Sequence, residues 1–146
     1  MIILKENWIM TLRNVQYEEE DKIEIVLNTV INYMCLSTGV KIIVYFESEA
    51  TGMEGSTTRM QVSPDDNIIT IIRQGSFNSN LVIQEGRKHF CNYKTPFGEL
   101  TFGISAKYID NNLTDEGGTL KFRYTVDSNS SLLSDNEIFI EIKKNV

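Results

Sequence analysis

One histidine and two cysteines leave little material for metal or thiol chemistry in a chain of 146 residues. Cys35 and Cys91 lack the C-x-x-C spacing of zinc and redox sites. Even together with His89 they do not complete a tetrahedral metal site without carboxylates. No Walker-type or dinucleotide-binding glycine loop occurs, nor does G-x-S-x-G or H-E-x-x-H. The expectation is a protein with no metal and no cofactor. Carboxylates are plentiful but fall mostly in turns, so no pair of them suggests itself as acid and base.

Basic residues are also scarce. Fourteen Lys and Arg stand against 20 Asp and Glu, a net charge of −6, and no three basic residues adjoin. That balance argues against the phosphate attraction on which nucleic-acid binding rests. Long apolar runs are missing too. The longest, Ile42 to Phe46, falls far short of the ~20 residues that span a bilayer. Met1-Ile2-Ile3-Leu4 meets charge at once in Lys5 and Glu6, unlike a secretory signal. No membrane partner is therefore expected, and the location expected is cytoplasmic, where both cysteines stay reduced.

What the chain does have is alternation. The hydrophobic fraction (41%) and charged fraction (23%) are those of a globular protein. Residues 1–146 suit one domain, long enough to bury roughly 68–70% of the surface its unfolded form exposes. No window of 12 or more residues keeps a helical apolar period, whereas period-2 patterns recur almost throughout. Leu120, Phe122, Tyr124 and Val126 share one face, with Lys121, Arg123, Thr125 and Asp127 on the other. Ile138, Ile140 and Ile142 repeat the pattern, as do Leu100, Phe102, Ile104 and Ala106. Ile23, Ile25, Leu27, Ile31 and Tyr33 extend it over a long stretch, and Ile42, Val44 and Phe46 are assigned inward by the same rule. Half-buried strands of this kind pair antiparallel.

Turn chemistry separates these runs. Ser63-Pro64-Asp65-Asp66-Asn67 and the acidic Glu18-Glu19-Glu20-Asp21 read as turns, and Asp115-Glu116-Gly117-Gly118 supplies positive φ for a hairpin. About ten short strands follow in meander order, with Ser128 to Asn136 the longest connection. The spacing predicts an all-β, antiparallel up-and-down barrel, because closure removes exposed edges.

The stretch His89 to Leu100 tests for catalysis. Thr95-Pro96-Phe97-Gly98 matches type I turn preferences, so the preceding residues form the incoming strand of a hairpin. His89, Cys91 and Tyr93 then share its inward face, with His89 and Cys91 Cα atoms roughly 6.5–7 Å apart. An activated thiolate needs an electropositive setting, an orienting partner and oxyanion donors. None is evident, so both are read as core residues and no catalytic residue is assigned. Arg73 shares a face with Ile69 and Ile71. It either points inward, where it needs a partner or an anionic ligand, or twists out to solvent at the barrel rim.

Several segments carry a family resemblance. Thr51-Gly52-Met53-Glu54-Gly55 with Thr57-Thr58, Val62-Ser63-Pro64-Asp65 and Arg73-Gln74-Gly75 are three of them. Tyr93-Lys94-Thr95-Pro96-Phe97-Gly98-Glu99-Leu100 and Gly117-Gly118-Thr119-Leu120-Lys121 complete the set. In order and spacing these resemble the YwiB-like family of small bacterial proteins, a domain of unknown function. The resemblance implies a calycin-like β-barrel, similar in shape to lipocalins and fatty-acid-binding proteins, and brings no catalytic residues with it.

Three function classes follow. The first is a non-enzymatic barrel binding a small apolar or anionic amphiphilic ligand in its interior, with Arg73, His89, Tyr93 and Tyr124 as the polar groups converging on it. The second is a filled barrel that contacts another protein, whose identity the sequence leaves open. An enzyme built at the barrel mouth is the third and has least support. A cavity separates the first two, since small barrels are either filled by side chains or hold one ligand.

Overall fold

The computed structural model describes residues 8–64, 67–95 and 98–145; the side chains of Ala50, Tyr93, Lys94 and Thr95 lie outside that description. Ten strands follow one another: β1 (Trp8–Tyr17), β2 (Lys22–Cys35), β3 (Lys41–Phe46), β4 (Ser56–Val62), β5 (Ile68–Gly75), β6 (Ser79–Gln84), β7 (His89–Thr95), β8 (Gly98–Thr114), β9 (Gly117–Ser128) and β10 (Ser131–Lys144). They form one antiparallel sheet in the order β6-β5-β4-β3-β2-β1-β10-β9-β8-β7. Consecutive strands are neighbours, and the β1–β10 ladder joins the two ends of the chain. The meander inferred from turn spacing is the observed topology, nearly closed into a barrel.

Strand lengths depart from the expectation. β2 and β10 run for 14 residues and β8 for 17. The region around Ser128 is no long connection: β9 and β10 meet across Asn129 and Ser130, both at positive φ, and a bulge between Leu132 and Ser134 restores the register. The acidic segment after β1 is the tight turn expected, with Glu18 and Asp21 exchanging backbone hydrogen bonds. The Asp115–Gly118 hairpin also forms, with Gly117 at φ 97° and Gly118 at φ 127°. Asp65, Asp66, Pro96 and Phe97 lie outside the described residues, so the Ser63–Asn67 and Thr95–Gly98 turns are seen through their flanks. Thr95 pairs with Gly98 across the second.

Among the described residues no ladder joins β6 to β7; a backbone bridge and side chains from outside β7 tie β8 across the gap instead. β8 outruns β7, which starts opposite Ile104, leaving its later backbone groups in need of partners. Glu85 bridges to Ala106, and its carboxylate accepts the Ile109 N–H. Asn67 donates to the Ile109 carbonyl at 3.2 Å, and the Tyr33 hydroxyl donates to the Thr114 carbonyl at 2.7 Å.

Inward residues pack one contiguous core: Met10, Ile31, Ile43, Ile69, Ile83, Ile104, Leu120, Phe122 and Ile142 are nearly or fully buried. Two inward assignments are corrected. In β3 the core face is Ile43 and Tyr45, while Ile42 and Val44 are buried on the outer side of the sheet and Phe46 is 46% exposed. The register explains this, for Ile43 lies opposite Tyr33 and Met60, both core residues. Five apolar residues in a row give alternation nothing to read. Leu100 is half exposed because it stands near the β7–β8 hairpin end, beyond the packed interior.

Outside the barrel an ion network ties three strands. Arg123 on β9 forks onto Asp135 of β10, Nε to Oδ1 at 2.9 Å and Nη2 to Oδ2 at 3.0 Å, and Lys107 at the β8 bulge adds a contact at 3.1 Å. The Arg123 hydrogen bonds hold the Asp135 carboxyl below its ordinary value of 3.8 against the opposing effect of burial. A depressed folded-state pKa contributes stability above the unfolded pKa and loses it as pH falls through the folded one. Asp135→Asn should therefore lower the melting temperature at neutral pH, and the gap to wild type should close as pH drops below 3.8. A gap that stays constant from neutral pH to pH ~2 would show that Asp135 acts by shape rather than charge.

Candidate functional site

One end of the barrel collects polar side chains on the inner face. Across β3 to β6, Tyr45 pairs with Thr58, Thr58 with Arg73, and Arg73 with Ser79. The alternation that points Ile69 and Ile71 inward carries Arg73 inward with them. Its side chain is 18% exposed, so of the two orientations open to it the inward one holds.

Glu47, one residue past β3, is the centre of this end. Its side chain is 1% exposed and continues the inward phase of Ile43 and Tyr45. Thr58 donates its hydroxyl to Oε1 at 2.6 Å and Thr51 donates to Oε2 at 2.7 Å. Arg73 Nε approaches Oε1 to 3.7 Å, an ionic contact without a hydrogen bond. Burial, then the Glu47 charge, push the Tyr45 hydroxyl above its ordinary pKa, with Arg73 pulling the other way.

Thr51 reaches Glu47 because the chain folds back over the barrel end in a 3-10 turn, Glu49–Thr51, closed by Gly52 at φ 75°. Gly75 seats this loop. At φ 123°, a Cβ there would stand 2.4 Å from the Gly55 carbonyl, so the backbone approach requires glycine. Two of the segments that carry the family resemblance thus meet here: Thr51, Met53 and Thr58 from the first, and Arg73 with Gly75 from another.

These groups enclose a cavity of about 70 Å³. Arg73, Glu47, Tyr45, Tyr124 and Asn14 supply its polar lining, and Met60, Ile71, Phe122 and Ile138 part of its apolar lining. Two buried polar atoms in this lining, Arg73 Nε and Asn14 Oδ1, have no hydrogen-bond partner among the described residues. Such groups ordinarily find partners in protein or ordered water. A volume of this size accepts a few water molecules or one compact solute. It is well below the ~300–1,000 Å³ of pockets that hold drug-sized ligands, so an acyl chain does not fit inside.

The four residues inferred from sequence are not all here. Arg73 and Tyr124 line the cavity. Tyr124 stacks on Phe122 with centroids 6.0 Å apart, and burial raises its hydroxyl pKa while the Arg73 charge lowers it. His89 sits elsewhere, at the start of β7, with Nε2 2.9 Å from the Gln84 side-chain oxygen. Tyr93 lies opposite Leu100 in β7, but its side chain is outside the described residues. Burial raises the Cys91 thiol above its ordinary value, an effect that a backbone hydrogen bond at Phe102 partly offsets, opposite to the lowering that marks a reactive cysteine. Among the described residues no three His, Cys, Asp or Glu side chains stand close enough to hold a metal ion.

Glu47, Thr51, Thr58 and Asn14 escaped the sequence reading. A signal for Glu47 existed in its two-residue step from Tyr45, but it becomes visible only once the face of β3 is known. Thr51 and Thr58 sit within the resemblance segments, and their hydroxyls acquire meaning only beside a buried carboxylate.

The fold has been seen before. The crystal structure of the YwiB protein from Bacillus subtilis superposes with a TM-score of 0.81 at 20% identity, covering 98% of this chain and 96% of that one. No curated protein matches the sequence. The model of the family described as a domain of unknown function, DUF1934, matches residues 10–140. That span takes in nine of the ten strands whole or nearly so and most of β10, including every residue around Glu47 and Arg73. The chain belongs to the DUF1934 family, with the barrel fold of YwiB.

Proposed function

We propose that this is a cytosolic, non-enzymatic binding protein whose barrel end takes a compact anion, with Arg73 as its principal partner. The observation that carries this reading is a guanidinium turned into a cavity, its buried Nε without a hydrogen-bond partner among the described residues and only an ionic contact to Glu47 at 3.7 Å. A planar fork of N–H donors matches a carboxylate two bonds at a time. The size of the cavity narrows the ligand from the amphiphile expected on sequence grounds to a small carboxylate or phosphate. Any apolar portion would lie outside, where Ile23, in the inward phase of Ile25, stands half exposed at the same end.

Glu47 competes with such an anion for Arg73. Removing its charge while keeping its shape frees the guanidinium. Titration with acetate, followed by melting temperature and calorimetry, should show stabilisation by mass action. Glu47→Gln should bind acetate more tightly by about tenfold, a difference of about 1.4 kcal/mol, and Arg73→Leu should abolish the stabilisation. Decanoate should do no better than acetate. If neither acetate nor inorganic phosphate shifts the melting temperature, and native mass spectrometry finds no bound species, the ligand reading fails. The packed interior then favours the second one, a filled barrel that meets another protein through exposed apolar residues such as Phe90 and Leu132, which are 72% and 64% exposed.

A further inference from the structure

Asn14 is out of place on the inner face of β1. Its companions there are Met10 and Leu12, and its partners in register are Ile25 on β2 and Ile138 on β10. An amide among these apolar neighbours is costly unless something bonds it. Its Oδ1 is buried without a partner. Of the hydroxyls at this end, Thr58 and Thr51 each donate to a Glu47 oxygen, and none, those of Tyr45 and Tyr124 included, bonds Asn14 Oδ1 among the described residues. No bond runs from Arg73 to Asn14 among the described residues, although both line the same cavity.

The cavity therefore holds two unmet demands of different kinds. Arg73 offers N–H donors, and Asn14 offers an amide. An apolar molecule satisfies neither, and a simple carboxylate satisfies the first. We infer that the site selects a compact hydroxycarboxylate, its carboxylate on Arg73 and its hydroxyl on Asn14. This rests on the reading of Arg73 as the partner of an anion. A hydroxyl suits the position whichever way round the amide stands, because it both donates and accepts. The small volume favours a ligand of few heavy atoms over a sugar acid or a longer chain.

The test compares pairs of probes that differ by one hydroxyl: glycolate against acetate, and lactate against propionate. Sites built to bond a hydroxyl reject the analogue without it, because their own polar groups are left unpaired. Calorimetric titration of the wild-type protein should give glycolate an affinity at least about tenfold above acetate. In Asn14→Leu the ratio should fall to one, with acetate binding retained. A wild-type ratio of one, with acetate still bound and still dependent on Arg73, overturns the inference and leaves the anion reading standing. So does an unchanged ratio in Asn14→Leu. Absence of binding by all four probes overturns both. The wild-type comparison decides the matter even if Asn14→Leu does not fold.

Discussion

Glu47→Leu should destabilise the protein by about 3–5 kcal/mol, the usual result of removing one partner from a buried ion pair. Its side chain is 1% exposed, and its loss strands Arg73 without a counter-charge and the Thr58 hydroxyl without its acceptor, while Thr51 keeps the Ser48 carbonyl. The value is expected toward the lower end, because Arg73 is 18% exposed and reaches the cavity. The double variant Glu47→Leu/Arg73→Met should recover part of the loss, since apolar replacement of both members of a buried pair is often neutral or better. What remains would come chiefly from Thr58, whose acceptor is Glu47. Denaturant unfolding of the four proteins gives the coupling energy directly. If the two single losses simply add in the double variant, Glu47 and Arg73 are not energetically paired, and Glu47 does not compete for the guanidinium.

Phe122→Ala should cost a similar amount, about 3–5 kcal/mol, for a different reason. Phe122 is fully buried on the inner face of β9, opposite Ile109 on β8 and Ile138 on β10, with Tyr124 stacked beside it. Removing its ring sacrifices transfer free energy and leaves a hole that the ladders on either side resist closing. For a domain of this size the melting temperature should fall on the order of 10 °C. Phe122→Leu, which keeps most of the volume, should cost under about 1.5 kcal/mol. The ring also forms part of the cavity wall, so the alanine variant should open space beside Arg73 and Tyr124. There decanoate, excluded from the wild-type interior, should gain a measurable stabilising effect. A melting temperature no lower than that of the surface control Thr119→Ala would show that the core tolerates the void.

Much of this architecture is written in short-range pattern. A residue's neighbours two places away decide whether it shares a sheet face with them, and the apolar series Leu120, Phe122, Tyr124 and Val126 therefore marks an inward face without reference to anything distant. Glycine pairs such as Gly117-Gly118 and the acidic segment Glu18–Asp21 mark reversals on local steric and solvation grounds. From these the number of strands, their antiparallel order and the all-β class follow. The face of Arg73 is legible by the same logic, since it lies two and four residues beyond Ile71 and Ile69, but the choice between an inward side chain and one twisted out at the rim needed the structure. The face of Tyr124 follows from the same alternation.

Other features needed the assembled barrel. The face of β3 was unreadable because Ile42, Ile43, Val44 and Tyr45 are all apolar, and all four are buried. Only pairing with Tyr33 and Met60 distinguishes the core side from the outer one, and that pairing depends on register with two other strands. Once β3 is set, Glu47 turns inward. The cavity then draws Asn14 from β1, Thr51 from the loop after β3, Arg73 from β5 and Tyr124 from β9. His89 shares an inward face in sequence but belongs to a different part of the barrel, beside Gln84. By itself, then, the sequence determined the strands, their order, and the face that Arg73 and Tyr124 share with their apolar neighbours, but not whether Arg73 turns inward or out to solvent. Tertiary structure decided which polar groups meet, because alternation fixes a side chain's direction within its strand and only inter-strand register fixes its height along the barrel.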